Sequence, residues 1–500
     1  MQLHHAKTFT PDMTFADLLV MLAYLTALPL LALGLAGRQT SATAYLEGHG
    51  DLPWWALCLS LVATETSTLT LISVPGIAYG SGMVFVGLAL GYLIGRAIVA
   101  WKFLPLYQSG KMLSAYDWLG QRFGASMQRM ASSTFLITRL LAEAVRLFAG
   151  MLPLAAMLNA AHMGLPHAML LGGIMLVTLF YTLCGGLRAV VWSDSIQFGL
   201  YLFGSAACLA LLWHAAPAGV LHTLHAAGRF DLFIGHTPPF TSPFTPLAAL
   251  LGGTVLSVAS HGTDQLMVQR VLAARCLRDA RLALMGSAVG VGLLFALLSG
   301  VGVLLWVHHG GATLHQAGFA TPDAVFPAYI AQELPSGLRG LMLAGVLAAT
   351  MGSLSATLSA MTAATVGDFA APCAWAARRL GLSGLGFARV ITLFWAGALV
   401  LCAGMFAQGS QSAVLVGLSI AACGYGPMLA SFIAGMAWPG LKARTLAPAF
   451  GLSVPLMVLA MMYLHPYGKP LAFVWLIVLG MITLFGLVGL RYVMQKKSHR

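Results

Sequence analysis

The chain has 500 residues, of which only 8% are charged, whereas 59% belong to the hydrophobic set AVILMFWYC. Soluble domains carry about 25% charged residues, so this composition excludes a string of water-soluble domains. A membrane-spanning helix needs roughly 20 apolar residues, and the chain has material for a dozen or more. The sequence therefore predicts an all-α polytopic membrane protein. The seven cysteines follow neither a disulfide framework nor a zinc spacing.

Apolar runs separated by turn signals predict thirteen spans. The connections between them are too short for an independent soluble domain. In chain order the predicted spans are 15–35, 53–78, 81–103, 130–158, 166–184, 190–214, 244–262, 282–306, 336–366, 386–408, 412–438, 444–464 and 470–493.

The formal net charge of +12 comes from 26 Lys and Arg against 14 Asp and Glu. With the N-terminus outside, nineteen of the basic residues fall in loops or at span ends on one side, four fall on the other side, and three lie deeper inside spans. Because cytoplasmic loops are enriched in Lys and Arg, this split predicts an N-out, C-in topology. The basic excess is thus a topology signal, and no nucleic-acid partner is expected.

Three acids, Glu65, Glu143 and Asp194, lie within the apolar runs. An ionisable group in the membrane costs at least ~2.5–3.5 kcal/mol and marks a functional site by default. Arg139, Glu143 and Arg146 share one helix face, so Glu143 can neutralise one arginine and leave the other available for a carboxylate. A purely structural ion network is the alternative.

Hydroxyl and acidic residues crowd the second span between Ser60 and Thr70, which favours an unwound segment that offers carbonyls to an ion and a solute. A second polar stretch, 348–357, lies in the ninth span, where close helix packing is the competing interpretation. Asp194 is flanked by two serines, a carboxylate setting that suits Na⁺, although a helix N-cap would look the same. No ATP-binding motif is present, so these features indicate an ion-driven secondary transporter.

The sequence resembles the sodium:solute symporter family of sodium-coupled glucose, proline, sialic acid and monocarboxylate carriers. The resemblance covers roughly residues 15–440. It is carried by Trp54-Trp55 with SLVATETSTLTLISVPG (60–76), WSDSIQ (192–197), HGTDQLMVQRVLAAR (261–275) and GLRGLMLAGVLAATMGSLSATLSA (337–360).

The resemblance implies the leucine-transporter-type inverted repeat of five plus five helices, with the second and seventh spans broken. The implied organisation has five parts. These are an N-terminal tail, leading helix and first cytoplasmic loop (1–52), the first repeat (53–214), an external loop (215–243), the inverted repeat (244–438), and two additional helices with a basic cytoplasmic tail (439–500).

The resemblance also implies a principal Na⁺ site between the first broken helix and the ninth span. The matching ligands are the carbonyls of Ala63, Thr66 and Ala349 and the hydroxyl of Ser353. Gly352 departs from the family, since most members have Ser or Thr there, and one oxygen ligand is lost. Gly352→Ser is therefore expected to tighten the Na⁺ dependence.

Two further positions, Asp194 and Ser355, match a second Na⁺ site of some members. Gly352 and Ala356 replace hydroxyls at that site too. One Na⁺ at most is expected, with coupling to protons carried by Glu65 and Asp194 as the rival.

For the solute, Arg146 is expected to bind a carboxylate and Glu65 a cationic group, which would suit a zwitterion or an amino sugar acid. Arg146 alone would suit a simple carboxylate. Arg146→Ala is expected to abolish transport, whereas Arg139 should be dispensable. The other solute-binding candidates are Ser67, Thr68, Ser257, Ser260 and Tyr425.

The sequence thus predicts Na⁺-coupled symport of a small, carboxylate-bearing organic solute by alternating access. A proton-coupled or ion-independent carrier and a transport-like sensor are the alternatives, and no enzyme activity or organic cofactor is expected. The expected partners are the solute and the lipid bilayer, with a monomer as the working expectation. A prokaryotic cytoplasmic (inner) membrane is the expected location.

Overall fold

The computed structural model describes residues 14–37, 39–48, 50–108, 112–160, 166–235, 237–238, 240–405 and 413–498. No strand occurs in these ranges, apart from an isolated bridge between Leu52 and Ala274. The α-helices are α1 (Phe15–Ala36), α2 (Ala42–Glu47), α3 (Trp54–Glu65), α4 (Thr68–Ser81), α5 (Val84–Ile98), α6 (Leu104–Gln108), α7 (Tyr116–Phe123), α8 (Ala125–Ala160), α9 (His167–Ala215), α10 (Val220–Ala226), α11 (Gly253–Thr263), α12 (Gln265–Leu272), α13 (Leu277–His308), α14 (Val325–Gln332), α15 (Leu338–Asp368), α16 (Ala370–Arg379), α17 (Gly384–Gly404), α18 (Ala413–Ala437), α19 (Ala443–Tyr463) and α20 (Phe473–Ser498). Short π-helices at Val99–Phe103 and Ala248–Gly252 precede α6 and α11, and 3₁₀ turns lie at Pro322–Ala324 and Pro466–Gly468.

Each of the thirteen predicted spans has a helical counterpart. In the described part of the chain, nine helices are long and apolar enough to cross a membrane, and α3 with α4 makes a tenth candidate. Helix α9, with 49 residues, contains both the fifth and the sixth predicted span. The fourth and seventh predicted spans correspond to α8 and to α11 with α12.

Two predicted boundaries are wrong. The segment 263–281 is not a connection, because α12 continues the seventh span and α13 begins at Leu277. As a consequence Arg270, which the topology count placed in a cytoplasmic loop, is completely buried. The polar Thr263-Asp264-Gln265 triplet looks like the end of a span in the sequence, whereas in the structure it interrupts one.

Helix α15 occupies the centre of the molecule. In its most apolar 18-residue stretch, 94% of the residues are buried, whereas the corresponding stretch of the peripheral helix α1 has 22% of its residues buried. Small residues between Gly345 and Ser359 allow this helix to pack closely on several sides. Its central position places the polar stretch 348–357 beside the first broken helix.

Candidate functional site

The first broken helix supplies the backbone of the site. Helices α3 and α4 are bent by 63° relative to each other, and Thr66 has the non-helical angles φ −92° and ψ 72°. The last helical bond of α3 runs from the Thr66 amide to the Val62 carbonyl, 2.9 Å. Carbonyls from Ala63 onward therefore lie at a helix end, where no intrahelical amide reaches them.

Helix α15 lies directly against this break. The Thr68 hydroxyl is 2.7 Å from the Thr350 hydroxyl and 3.2 Å from the Val346 carbonyl. Ala349 and Ser353 lie on the same buried stretch, and Ser353 Oγ has no hydrogen-bond partner among the described residues. The structure thus brings the two segments of the predicted principal Na⁺ site together.

Asp194 is not a helix cap at a membrane boundary, as one interpretation of the sequence had it. It lies inside α9 and is completely buried. Its Oδ2 accepts hydrogen bonds from Ser60 Oγ at 2.6 Å and Thr64 Oγ1 at 3.4 Å, and pairs with Arg270 at 3.0 Å. The other carboxylate oxygen, Oδ1, has no partner in the part of the chain that is described.

The second helix break is built around Asp264, a residue that the sequence analysis did not single out. Asp264 begins α12, and its Oδ1 accepts from the Leu266 amide at 2.9 Å. Its Oδ2 pairs with Arg139 and accepts a 2.6 Å hydrogen bond from the Tyr425 hydroxyl. Asp264 thereby joins the break to α8 and α18.

The candidate Glu65 ends α3, and it is not a free anion. It pairs with Arg96 on α5, whose guanidinium also donates to Ser287 Oγ at 2.6 Å. His261 Nε2 lies 3.7 Å from the Glu65 carboxylate. Glu65 therefore sits in a cluster that joins α3, α5, α11 and α13.

The arginine pair of α8 is arranged differently from the prediction. Arg139 is neutralised by Asp264, and Arg146 lies 3.4 Å from Glu143, so neither guanidinium lacks an acidic partner. The expectation that Glu143 leaves one arginine unpaired is wrong, because the compensating acid comes from another helix. Arg146 is only partly buried, with 14% of its side chain exposed, whereas Arg96, Arg139 and Arg270 are at most 4% exposed.

The remaining solute-binding candidates are spread over several environments. Ser67 is buried next to the break and precedes α4, and Ser260 Oγ lies 2.9 Å from His261 Nδ1. Ser257 Oγ donates to the Tyr92 carbonyl at 3.0 Å, which makes it a contact between α11 and α5. Ser355 Oγ donates to the Gly352 carbonyl at 3.0 Å.

Sequence reasoning missed three ionic partners, Arg96, Asp264 and Arg270, and the buried Gln197. Each lies in a segment that had been quoted or counted, and the partners of the three ionic residues come from distant parts of the chain. Four ion pairs neutralise these groups within the bundle. They are Glu65–Arg96, Asp264–Arg139, Glu143–Arg146 and Asp194–Arg270.

Comparison with known proteins identifies the family of this chain. The model of the sodium:solute symporter family matches residues 45–445. The chain belongs to the sodium:solute symporter family. It is accordingly a Na⁺-coupled solute symporter and an integral membrane protein, not an enzyme.

Relatives of this symporter carry several solutes. The sodium/sialic acid symporter SiaT of Proteus mirabilis is 28% identical over 72% of this chain and 71% of its own length. The human sodium/iodide cotransporter is 27% identical over 85% of this chain and 66% of its own length. Human sodium-coupled monocarboxylate transporter 1 is 27% identical over 81% of this chain and 65% of its own.

Solved structures establish the fold. A Na⁺-coupled sialic acid symporter in a substrate-bound, outward-open state superposes with a TM-score of 0.80, at 24% identity, over 95% of this chain and 97% of that chain. A nucleobase-cation-symport-1 family transporter in a closed conformation gives 0.57 at 14% identity over 93% and 96%. The symporter therefore has the predicted leucine-transporter-type fold, with a broken helix at the start of each five-helix repeat.

Proposed function

We propose that this symporter takes up a small organic solute bearing a carboxylate, and that Arg146 binds that group. The supporting observation is the state of the four arginines that form ion pairs within the bundle. Arg96, Arg139 and Arg270 are at most 4% exposed and engage acids from other helices. Arg146 has only a 3.4 Å contact with Glu143 on its own helix, so it retains donors for a carboxylate.

The start of α4 supplies a second favourable contact for an anion. No side chain caps the helix at Ser67, so the first amides of α4 and its positive dipole end are available. Gly150, one turn after Arg146 on α8, packs against Thr68 and Thr350. Arg146 and the start of α4 therefore border the same region.

We assign Glu65 to an ion pair within the bundle and not to the cationic group of a zwitterionic solute. Its carboxylate is paired with Arg96, so a cationic group of the solute would have to compete with that guanidinium. This favours a simple carboxylate or a sugar acid over an amino acid. Ser67, Thr68 and Ser260 are the neutral hydroxyls that we assign to the rest of the solute, with Tyr425 acting through Asp264 and Arg139.

The known solutes of the relatives point the same way. Sialic acid and monocarboxylates are organic acids, and iodide is an anion. We infer a bacterial cytoplasmic membrane for this chain, because sialic acid symporters of Proteus mirabilis and Aliivibrio fischeri are among its relatives.

Uptake into proteoliposomes tests the solute class. With an inward Na⁺ gradient, we expect uptake of at least one radiolabelled monocarboxylate or sugar acid and no uptake when choline replaces Na⁺. A neutral amide of the accepted acid should neither be taken up nor compete. Uptake restricted to neutral sugars would contradict the carboxylate assignment.

Arg146→Ala is the matching mutational test. Because a charge-assisted hydrogen bond is worth about 1.5–3 kcal/mol, the apparent affinity for the acid should fall at least about tenfold, while Arg146→Lys should retain part of it. Arg129→Ala, an exposed arginine on the same helix, is the control and should behave as wild type. Equal half-saturation in Arg146→Ala and wild type would remove Arg146 from the solute site.

A further inference from the structure

A cavity of about 340 Å³ lies between the outer ends of α9 and α13. On α9 its lining runs from Ala206 to His214, eight residues and therefore about 12 Å along the helix axis. On α13 it runs from Gly300 to Leu304. A Cβ on Gly300 would lie 3.2 Å from Leu209 Cδ1, so the two helices meet at the inner end of the cavity. Because half of the hydrocarbon core of a membrane is about 15 Å thick, the cavity spans most of the outer leaflet.

The short helix α10 and the turn after it form the outer wall of the cavity. Leu221 and Leu224 of α10 line it, together with Phe230. Leu224 is buried, whereas His222 and His225 are exposed. This helix thus places apolar side chains over the cavity and polar side chains on the outside, as expected for a helix at the membrane surface.

The open side of the cavity belongs to the lipid-facing surface of the protein. Trp213 and Leu221 line the cavity and are 49% and 54% exposed, respectively. Helix α9, which carries Trp213, is one of the candidate membrane spans. Water in a cavity needs two to four polar partners, and among the described lining residues only Trp213 and His214 have a nitrogen or oxygen in the side chain. The apolar medium of the bilayer is therefore the material that fits this space.

We propose that the cavity binds one acyl chain of a phospholipid from the outer leaflet. Its volume falls within the roughly 300–1,000 Å³ that is typical of ligand sites, and its length along α9 matches the depth of one leaflet. The cavity is also continuous with the surface that the spans present to the membrane. The proposal goes beyond solute transport, and it does not depend on the identity of the solute.

A bound chain would support the external loop that holds the outer end of the first broken helix. Phe230 in the wall of the cavity directly follows Arg229, whose guanidinium donates to the Tyr79 and Gly80 carbonyls at the end of α4. Met83, two residues after α4, also lines the cavity. The lipid is thus inferred to stabilise the contact between this loop and α4.

Photochemical cross-linking identifies the occupant directly. The purified protein is reconstituted into vesicles of phosphatidylethanolamine and phosphatidylglycerol with a trace of phosphatidylcholine that carries a diazirine in one acyl chain. Mass spectrometry should find the label enriched on 206–214 and 300–304 relative to other lipid-facing helices. Ala210→Trp fills the cavity and should remove most of this labelling. Ala23→Trp, at an exposed alanine of α1, is the matched control and should keep it.

Thermal unfolding gives a second test, because a ligand that binds only the folded state raises its stability. Adding phosphatidylethanolamine to delipidated protein in detergent should raise the unfolding temperature of wild type and Ala23→Trp more than that of Ala210→Trp. Ala206→Leu is a smaller filling of the same wall and replaces Ala210→Trp if that variant does not fold.

Three results would overturn the proposal. The first is wild-type labelling of the cavity in a folded filling variant, and the second is even labelling of all lipid-facing helices. The third is a dimer in native mass spectrometry that the filling variant abolishes, because a second copy of the chain would then occupy the cavity.

Discussion

Most ionisable side chains in the described interior of this protein have an opposite charge from within the bundle, whereas Asp17 and Asp368 are held by neutral hydrogen-bond donors. Asp264 illustrates the arrangement, since its two oxygens engage Arg139, Tyr425 and a backbone amide. Removing one partner of a buried pair leaves an uncompensated charge, which typically costs about 3–5 kcal/mol. The pair at the second helix break is therefore expected to matter for stability as well as for transport.

We expect Arg139→Ala to lower the thermal stability of the detergent-solubilised protein and to reduce uptake, because Asp264 is left buried without its cation. The sequence alone predicted that Arg139 is dispensable, because it does not reveal the pairing of Arg139 with Asp264. Asp264→Asn in the Arg139→Ala chain removes the orphaned charge and keeps an acceptor for Tyr425, so it should recover part of the stability. An unchanged melting temperature in Arg139→Ala would show that the pair is not stabilising.

The ionisable residues of the candidate site could be recognised in the sequence, but their partners could not. Asp194, Glu65 and Arg146 stand out because acids and arginines are costly in apolar runs. Arg270 was counted as a loop residue, and Asp264 lay just beyond the predicted end of a span. Pairing such as Asp194 with Arg270 joins residues 76 positions apart, and no local pattern encodes that proximity.

At the scale of elements, the bend inside α9 shows how one glycine joins two spans. Gly186 has φ 55° and ψ −155°, a combination that is essentially restricted to glycine and costs other residues about 1–3 kcal/mol. A Cβ there would also lie 2.5 Å from the Tyr45 carbonyl oxygen. The fifth and sixth spans consequently meet at a fixed angle against α2.

Gly186→Ala should destabilise the protein by at least about 1–3 kcal/mol, for the backbone reason alone. Gly199→Ala, on the same helix, provides the control, because it has ordinary helical backbone angles and nothing within 4 Å of its ideal Cβ. It should stay within about 0.5 kcal/mol of wild type. Comparable unfolding temperatures for the two variants would mean that the bend tolerates a side chain.

Span positions were predictable because hydropathy dominates over length scales of about 20 residues. The interruptions were harder to locate. The hydroxyl-rich 60–70 segment predicted an unwound stretch, and the observed break at Thr66 lies within it, whereas at the second break a single Thr263-Asp264-Gln265 triplet carries the signal. One polar triplet can break a membrane helix only where a neighbouring helix hydrogen-bonds the freed polar groups, and that depends on the tertiary structure.

Contacts between loops group the predicted loops of the molecule into two sets. At one end Asp51 pairs with Arg188 and its carbonyl accepts from Arg275. At the other end Arg229 donates to the Tyr79 and Gly80 carbonyls. These contacts join loops that an alternating thirteen-span topology assigns to the same side, so the alternation is internally consistent. Which end faces the cytoplasm follows from the Lys and Arg bias.

Cys276 can report that orientation, because it is exposed at the start of α13 beside Arg275 and Arg278. With the N-terminus outside, a membrane-impermeant maleimide should label Cys276 in inverted vesicles and spare it in right-side-out vesicles. Cys276→Ser identifies the labelled position, and adding Ala218→Cys, in the exposed loop after α9, should reverse the pattern. Labelling of Cys276 in right-side-out vesicles would place the basic loops outside the cell and would contradict the N-out, C-in topology.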